Sequence, residues 1–163
     1  MKELSPKTII DQFNMRYLND VSTFGALTDE AIHWLLASGK LIEFAPDEAL
    51  FTQSGRGDSF FVIIDGQVSY YKWLDTRYIF IRHYYSGQQI GFMSMVALHS
   101  RVGKAVADQT TWALEISSEV FQKLHESHPS DFGILMMNLA REMARTLCDA
   151  YKLAAKREAD ERD

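Results

Sequence analysis

From Lys40 to Ser117 the sequence is cut by turn signals roughly every 8 to 12 residues: Pro46-Asp47, Gly55-Arg56-Gly57-Asp58, Asp65-Gly66, Leu74-Asp75-Thr76-Arg77 and Ser86-Gly87. The runs between them are short and rich in Val, Ile, Phe and Tyr, which predicts a series of strands joined by hairpins. Asp65-Gly66 is the sharpest of these signals. It separates Phe60-Phe61-Val62-Ile63-Ile64 from Val68-Ser69-Tyr70-Tyr71, and a two-residue hairpin turn needs the positive φ that Gly and Asp tolerate. A small antiparallel barrel or roll follows from this spacing.

Helical patterns flank that region. Ser5-Pro6 opens a short helix expected to run to about Leu18, with Ile9, Ile10, Phe13 and Tyr17 at helical spacing. Thr28-Asp29-Glu30 opens a second that Gly39 ends, and Ser117 or Ser118 with Glu119 opens a third that Pro129 interrupts. Beyond Pro129, the residues Phe132, Met136, Leu139, Met143, Leu147, Ala150 and Ala154 form one apolar stripe on a helix of some 25 residues or more. Such a stripe is longer than a small roll can cover, so its expected partner is the same helix of a second copy. The charged tail from Lys156 to Asp163 is expected to fray into solvent.

At 163 residues the chain has room for about one domain. The reading divides it into an N-terminal helix and linker over 1–23, a roll with flanking helices over 24–127, and a long helix with its tail over 128–163. A formal charge of -5 disfavours a surface that tracks phosphate backbones. No signal-peptide pattern and no membrane-length apolar run occur, so a cytoplasmic location and no membrane partner are expected. The single cysteine, Cys148, excludes an internal disulfide and a multi-thiolate metal centre, and is read as a small packed residue.

The order of helix, β-roll and two helices ending in a long one resembles the cyclic-nucleotide-binding domain of the catabolite-activator (Crp/Fnr-like) family. Three stretches carry the resemblance: Leu50 to Val68 with its Gly57-Asp58 turn and later Gly66, Ser86-Gly87-Gln88-Gln89-Ile90-Gly91, and Met143-Ala144-Arg145. It extends over roughly Phe24 to Leu153. The fold class it implies is mainly β with flanking helices, an antiparallel double-stranded β-helix of jelly-roll type followed by a long C-terminal helix.

The resemblance also implies a ligand site. A cyclic phosphate is an anion that needs a guanidinium and free backbone N–H groups. Gly91, Phe92, Met93 and Ser94 fall at the turn and helix start of the family's phosphate-binding cassette, and Arg101 falls at its phosphate-binding arginine. Phe92 stands where the family has the glutamate that accepts the ribose hydroxyl, Val102 where a serine or threonine often contacts phosphate, and Ala150 and Tyr151 at positions that read the base. Losing the glutamate alone weakens a cyclic nucleotide by roughly 10- to 150-fold.

The implied function is a stand-alone sensor module for a small anion, cyclic-nucleotide-like, acting as a homodimer through its C-terminal helix, with a further protein partner possible. No helix-turn-helix pattern follows the long helix before Asp163, so direct DNA binding is not expected. The alternatives are a ligand-free dimeric scaffold and a cupin-like metal enzyme. His33, His83, His99, His125 and His128 show no paired-ligand spacing, no Gly-x-Ser-x-Gly elbow is present, and neither a catalytic residue nor a metal ligand is assigned.

Overall fold

A computed structural model describes residues 1–160. In chain order the elements are β1 (Lys2–Leu4), α1 (Pro6–Gln12), α2 (Met15–Asp20), a 3₁₀ turn (Ser22–Phe24), α3 (Asp29–Ser38), β2 (Lys40–Phe44), β3 (Ala49–Phe51), β4 (Ser59–Asp65), β5 (Gln67–Leu74), β6 (Arg77–Tyr85), β7 (Gln89–Ile90), α4 (Phe92–Val96), β8 (Gly103–Ala107), β9 (Thr111–Ser117), α5 (Ser118–Ser127) and α6 (Pro129–Asp160). The strands form two antiparallel sheets, ordered β1-β2-β9-β4-β7 and β3-β8-β5-β6. This is the mainly β roll with a long C-terminal helix expected from the sequence.

The local signals hold where they are local. Thr28 caps α3 through the Ala31 amide, Ser117 caps α5 through the Val120 amide, and Gly39 ends α3. The first helix breaks earlier than its apolar spacing suggests: Phe13 is extended, and Asn14 caps a new helix by accepting from the Tyr17 amide at 2.9 Å. β1, which the sequence reading did not anticipate, is three residues on the edge of the first sheet.

Asp65-Gly66 joins no hairpin. β4 pairs with β9 and β7, whereas β5 pairs with β6 and β8, so the chain crosses from one sheet to the other at this turn. Gly66 has φ +117, and a Cβ there would lie 2.4 Å from Thr111 Oγ1, so the corner needs glycine for both conformation and space. The tight hairpin is β5–β6, whose Leu74 pairs with Arg77 across Asp75-Thr76.

Both faces of β4 are buried, which explains its unbroken apolar run. Phe60, Val62 and Ile64 join a core with the helices, while Phe61 and Ile63 join a second core inside the roll with Phe44, Val68, Ile90 and Ala105. α6 docks on this body by its first half. Asp131 accepts from the Thr28 amide at 2.7 Å, Asn138 donates to Gly25 O at 2.7 Å, and Leu135 and Leu139 are fully buried. Farther along, Glu142 accepts from the Gln89 amide at 3.3 Å and Arg82 Nη1 donates to Thr146 Oγ1 at 3.4 Å.

From Leu147 to Asp160 the helix continues with every residue exposed. The charged segment therefore does not fray within the described residues; the last three lie outside them. Cys148 is exposed, against the expectation of a packed residue, because the helix has already left the body at that point.

Glu142 sets a pH dependence. Burial pushes its carboxyl up to about 7, against the opposing pull of the Gln89 N–H, Arg82 and Arg145. A raised acid binds its proton more tightly in the folded state, so its stabilising contribution is complete below the ordinary value of 4.5 and is lost as pH rises through about 7. Urea unfolding at pH 5 and pH 8 is expected to show a loss of about 2 kcal/mol attributable to this group. Glu142→Gln should remove that loss while keeping an acceptor for Gln89; an unchanged pH difference in the variant would contradict the assignment.

Candidate functional site

A cavity of about 310 Å³ lies between the inner wall of the second sheet, α4 and α6. Strand alternation builds the wall. Val68, Tyr70 and Lys72 point the same way from β5; across the ladder Tyr84 pairs with Val68 and Arg82 with Tyr70. The register shifts after Tyr70, which pairs with Arg82 while Tyr71 pairs with Phe80, and leaves Ile81 of β6 as the extra residue of a bulge. On the other side of β5, Ala105 pairs with Tyr70 and Gly103 with Lys72, small residues that leave the space open. Phe51 and Ile90 line the interior, and Met143 and Thr146 of α6 close one side.

Of the residues expected from the sequence, Gly91, Phe92, Met93, Ser94 and Val102 line this cavity. Phe92 borders it with its ring turned into the helical core, 5.2 Å from the Phe60 ring and 5.8 Å from Phe121. The Phe92 amide is already used, donating to Gln89 Oε1 at 3.4 Å. Tyr151 does not line it: it is 66% exposed on the free half of α6.

Arg101 does not line it either. The guanidinium is 3% exposed and turned into the wall, where Nη1 donates to Gly91 O at 2.9 Å and Nη2 donates to Ser59 O at 2.7 Å and Ser59 Oγ at 3.1 Å. Phe51 covers it, with 4.4 Å from the guanidinium carbon to the ring centroid, and Nε has no acceptor. Burial lowers its pKa, offset by the nearby charges of Asp58 and Glu115. Ser59 passes the interaction on by donating to Glu115 Oε1 at 2.8 Å. The expected anion-facing guanidinium is thus a staple that joins the start of β4 to the turn before α4. Gly91 makes the staple possible: its φ is +96, and a Cβ would sit 2.5 Å from Arg101 Nη1.

The cations that do line the cavity are Lys72 and Arg82, which the sequence reading did not single out as site residues. Their signal was the alternation of aromatics and bases along Tyr70-Tyr71-Lys72-Trp73 and around Tyr84. Arg82 lies over the Tyr84 ring at 4.4 Å and its Nε donates to His83 O at 3.2 Å.

On the opposite face of the same ladder Ser69, His83 and Asp108 meet, but not as a catalytic triad. Ser69 Oγ and Asp108 Oδ2 both approach His83 Nδ1, each at 3.1 Å, and Ser69 donates to Asp108 Oδ1 at 2.6 Å. Activation of a serine needs it on the imidazole nitrogen opposite the carboxylate. This cluster ties β5, β6 and the turn after β8 together. Among the described residues no group of three or more His, Cys, Asp or Glu converges as for a metal, and no helix is long and apolar enough to cross a membrane.

The sequence model of the cyclic nucleotide-binding domain matches residues 41–128. No curated protein matches the chain. Among solved structures, a cyclic nucleotide-binding domain from Methylobacillus flagellatus KT superimposes with TM-score 0.79 at 20% identity, covering 93% of this chain and 85% of that one. The catabolite activator protein of Thermus thermophilus gives TM-score 0.68 at 23% identity over 79% of this chain and 59% of that one. The regulatory subunit of a cAMP-independent protein kinase A from Trypanosoma brucei gives TM-score 0.71 at 16% identity over 90% and 48%. At these identities the three establish likeness of fold. The family match spans more than half of the sequence and takes in β2 to β9, α4 and α5, and on that ground the chain belongs to the cyclic nucleotide-binding domain family.

Proposed function

We propose that the chain is a regulatory sensor module in which a small ligand occupies the roll cavity and biases the position of α6 in a homodimer. The observation that carries this reading is the composition of the cavity wall: Met93 and Ser94 come from α4, Met143 and Thr146 from α6. An occupant touches both helices, so any difference in its affinity for two arrangements of them shifts their populations.

An ordinary cyclic nucleotide is a poor occupant. Arg101 spends its donors on Gly91 and Ser59, and Phe92 supplies no acceptor for a ribose hydroxyl. The trypanosomal relative, described as cAMP-independent, is consistent with a fold that does not fix its ligand. The Ser69, His83 and Asp108 cluster lends no support to an enzymatic reading, because both partners sit on the same imidazole nitrogen.

Dimerisation rests on the free half of α6. Leu147 is 52% exposed, Tyr151 66% and Leu153 54%, on a helix that finds no cover in its own chain. A second copy of the same helix would bury these side chains.

Two measurements test the reading. Amide hydrogen exchange with a panel of small organic anions and cyclic nucleotides at millimolar concentration is expected to reveal binders that slow exchange in residues 92–96 and 139–146; a panel with no effect on either segment leaves only the ligand-free scaffold. Cyclic AMP and cyclic GMP should bind about 10- to 150-fold more weakly than to a cavity with a carboxylate ribose acceptor. Light scattering is expected to give twice the 18.7 kDa chain mass, with the double variant Leu147→Glu, Tyr151→Glu falling to one chain mass. A wild-type monomer would remove the helix seam from the mechanism.

A further inference from the structure

Arg82 stands between two cavities of opposite character. On one side is the roll cavity, whose wall of Phe51, Tyr70, Ile81, Ile90, Val102 and Met143 is apolar or aromatic and contains no Asp or Glu. On the other is a polar cavity of about 390 Å³ bounded by α6 and β6, in which Arg82 meets Arg141, Glu142 and Arg145. Arg82 and Thr146 line both and form the partition.

The guanidinium at this partition is already oriented. Its Nε donates to His83 O, its Nη1 reaches Thr146 Oγ1 at 3.4 Å, and its face lies on Tyr84. Its Nη2 makes no hydrogen bond among the described residues, and no carboxylate there forms an ion pair with Arg82. Two acids line the polar cavity with it: Glu142, spent on the Gln89 amide and by its raised pKa only partly ionised at neutral pH, and Asp149, which pairs with Lys152 at 3.7 Å. Arg141 and Arg145 add positive charge behind the partition, and Lys72 adds it on the cavity side. A fixed, planar, incompletely satisfied guanidinium beside an apolar chamber suits a carboxylate, sulfonate or phosphate group joined to a hydrocarbon or aromatic body.

We infer that the roll cavity takes an organic anion with an apolar body, and that Arg82 on β6, rather than Arg101 in the cassette, holds its acidic group. This rests on the proposal that the roll cavity is a ligand site, and it adds which chemistry the site selects and which residue selects it.

The test uses two fluorescent probes that differ by one charge: 8-anilinonaphthalene-1-sulfonate and its uncharged counterpart N-phenyl-1-naphthylamine. The full chain is expected to bind the sulfonate about 10- to 100-fold more tightly than the amine, the range of one charge-assisted hydrogen bond. Arg82→Gln should abolish that preference while leaving amine affinity within about twofold, since the apolar wall is untouched. Arg141→Gln, which alters only the polar cavity, should keep the preference. Met143→Trp, which fills the roll cavity, should abolish binding of both probes, and thermal melting confirms that each variant is folded. Equal affinity for the two probes in the wild type, or an equal loss of both in Arg82→Gln, overturns the assignment to Arg82 and leaves the cavity reading standing. Binding that survives Met143→Trp overturns it as well, because the probe then sits elsewhere. If neither probe binds and hydrogen exchange in α4 and α6 is unchanged, the cavity reading itself fails.

Discussion

The roll is organised around a buried charge that never meets solvent. Arg101 lies on the segment after α4, yet its side chain reaches across to the first residue of β4 and to the turn that starts α4. A guanidinium loses a large hydration energy on burial and must regain it through hydrogen bonds and neighbouring charge. Gly91 O and Ser59 O do so at 2.9 and 2.7 Å, with Asp58 and Glu115 near enough to favour the cation. Three separate stretches of chain are thereby fixed relative to one another, and one of them, at Gly91, lines the roll cavity. Any side chain at position 91 would leave the staple no room.

That expenditure reassigns the site's electrostatics. The same donors cannot hold both the backbone and a phosphate, so the residue whose spacing suggested ligand recognition is occupied in maintaining the wall. What remains for an occupant is the opposite wall of the roll, where Tyr70, Tyr84 and the small Ala105 make an apolar surface and Arg82 and Lys72 provide charge. Cation stacking on Tyr84 orients Arg82 without neutralising it, which is how an arginine can be both rigid and available.

Legibility in the sequence followed the range of the interaction responsible. Thr28, Ser117 and Gly39 marked helix ends correctly because a cap is settled within three or four residues. The apolar run of β4 foretold a strand, and its lack of alternation reflected burial on both faces. Asp65-Gly66 is a turn but not a hairpin, since a glycine at positive φ serves a sheet-to-sheet corner equally well and only the pairing of β4 with β9 distinguishes them. Gly91, Phe92, Met93, Ser94 and Val102 line the roll cavity, as their positions along the motif suggest, because a motif fixes the backbone. Where the Arg101 side chain turns was not legible, because it depends on Ser59, 42 residues away in sequence. For Arg82 the sequence offered only a base among aromatics; that it reaches the cavity and meets Thr146 of α6, 64 residues away, was not legible for the same reason.

α6 both lines the cavity and extends beyond the body. Up to Thr146 it is held by Asp131, Asn138, Glu142 and two buried leucines; beyond that residue it has no cover. The stripe of apolar residues nevertheless continues without change of period through Leu147 and Ala154, so the sequence does not mark where the covered part of the helix ends. The boundary falls at the cavity wall, where Met143 and Thr146 line the roll cavity and Glu142 lines the polar cavity with Arg82. The cavity wall therefore coincides with the stretch of α6 where its contacts with the body run out: hydrogen bonds and buried leucines hold it up to Thr146, and every described residue from Leu147 onward is exposed.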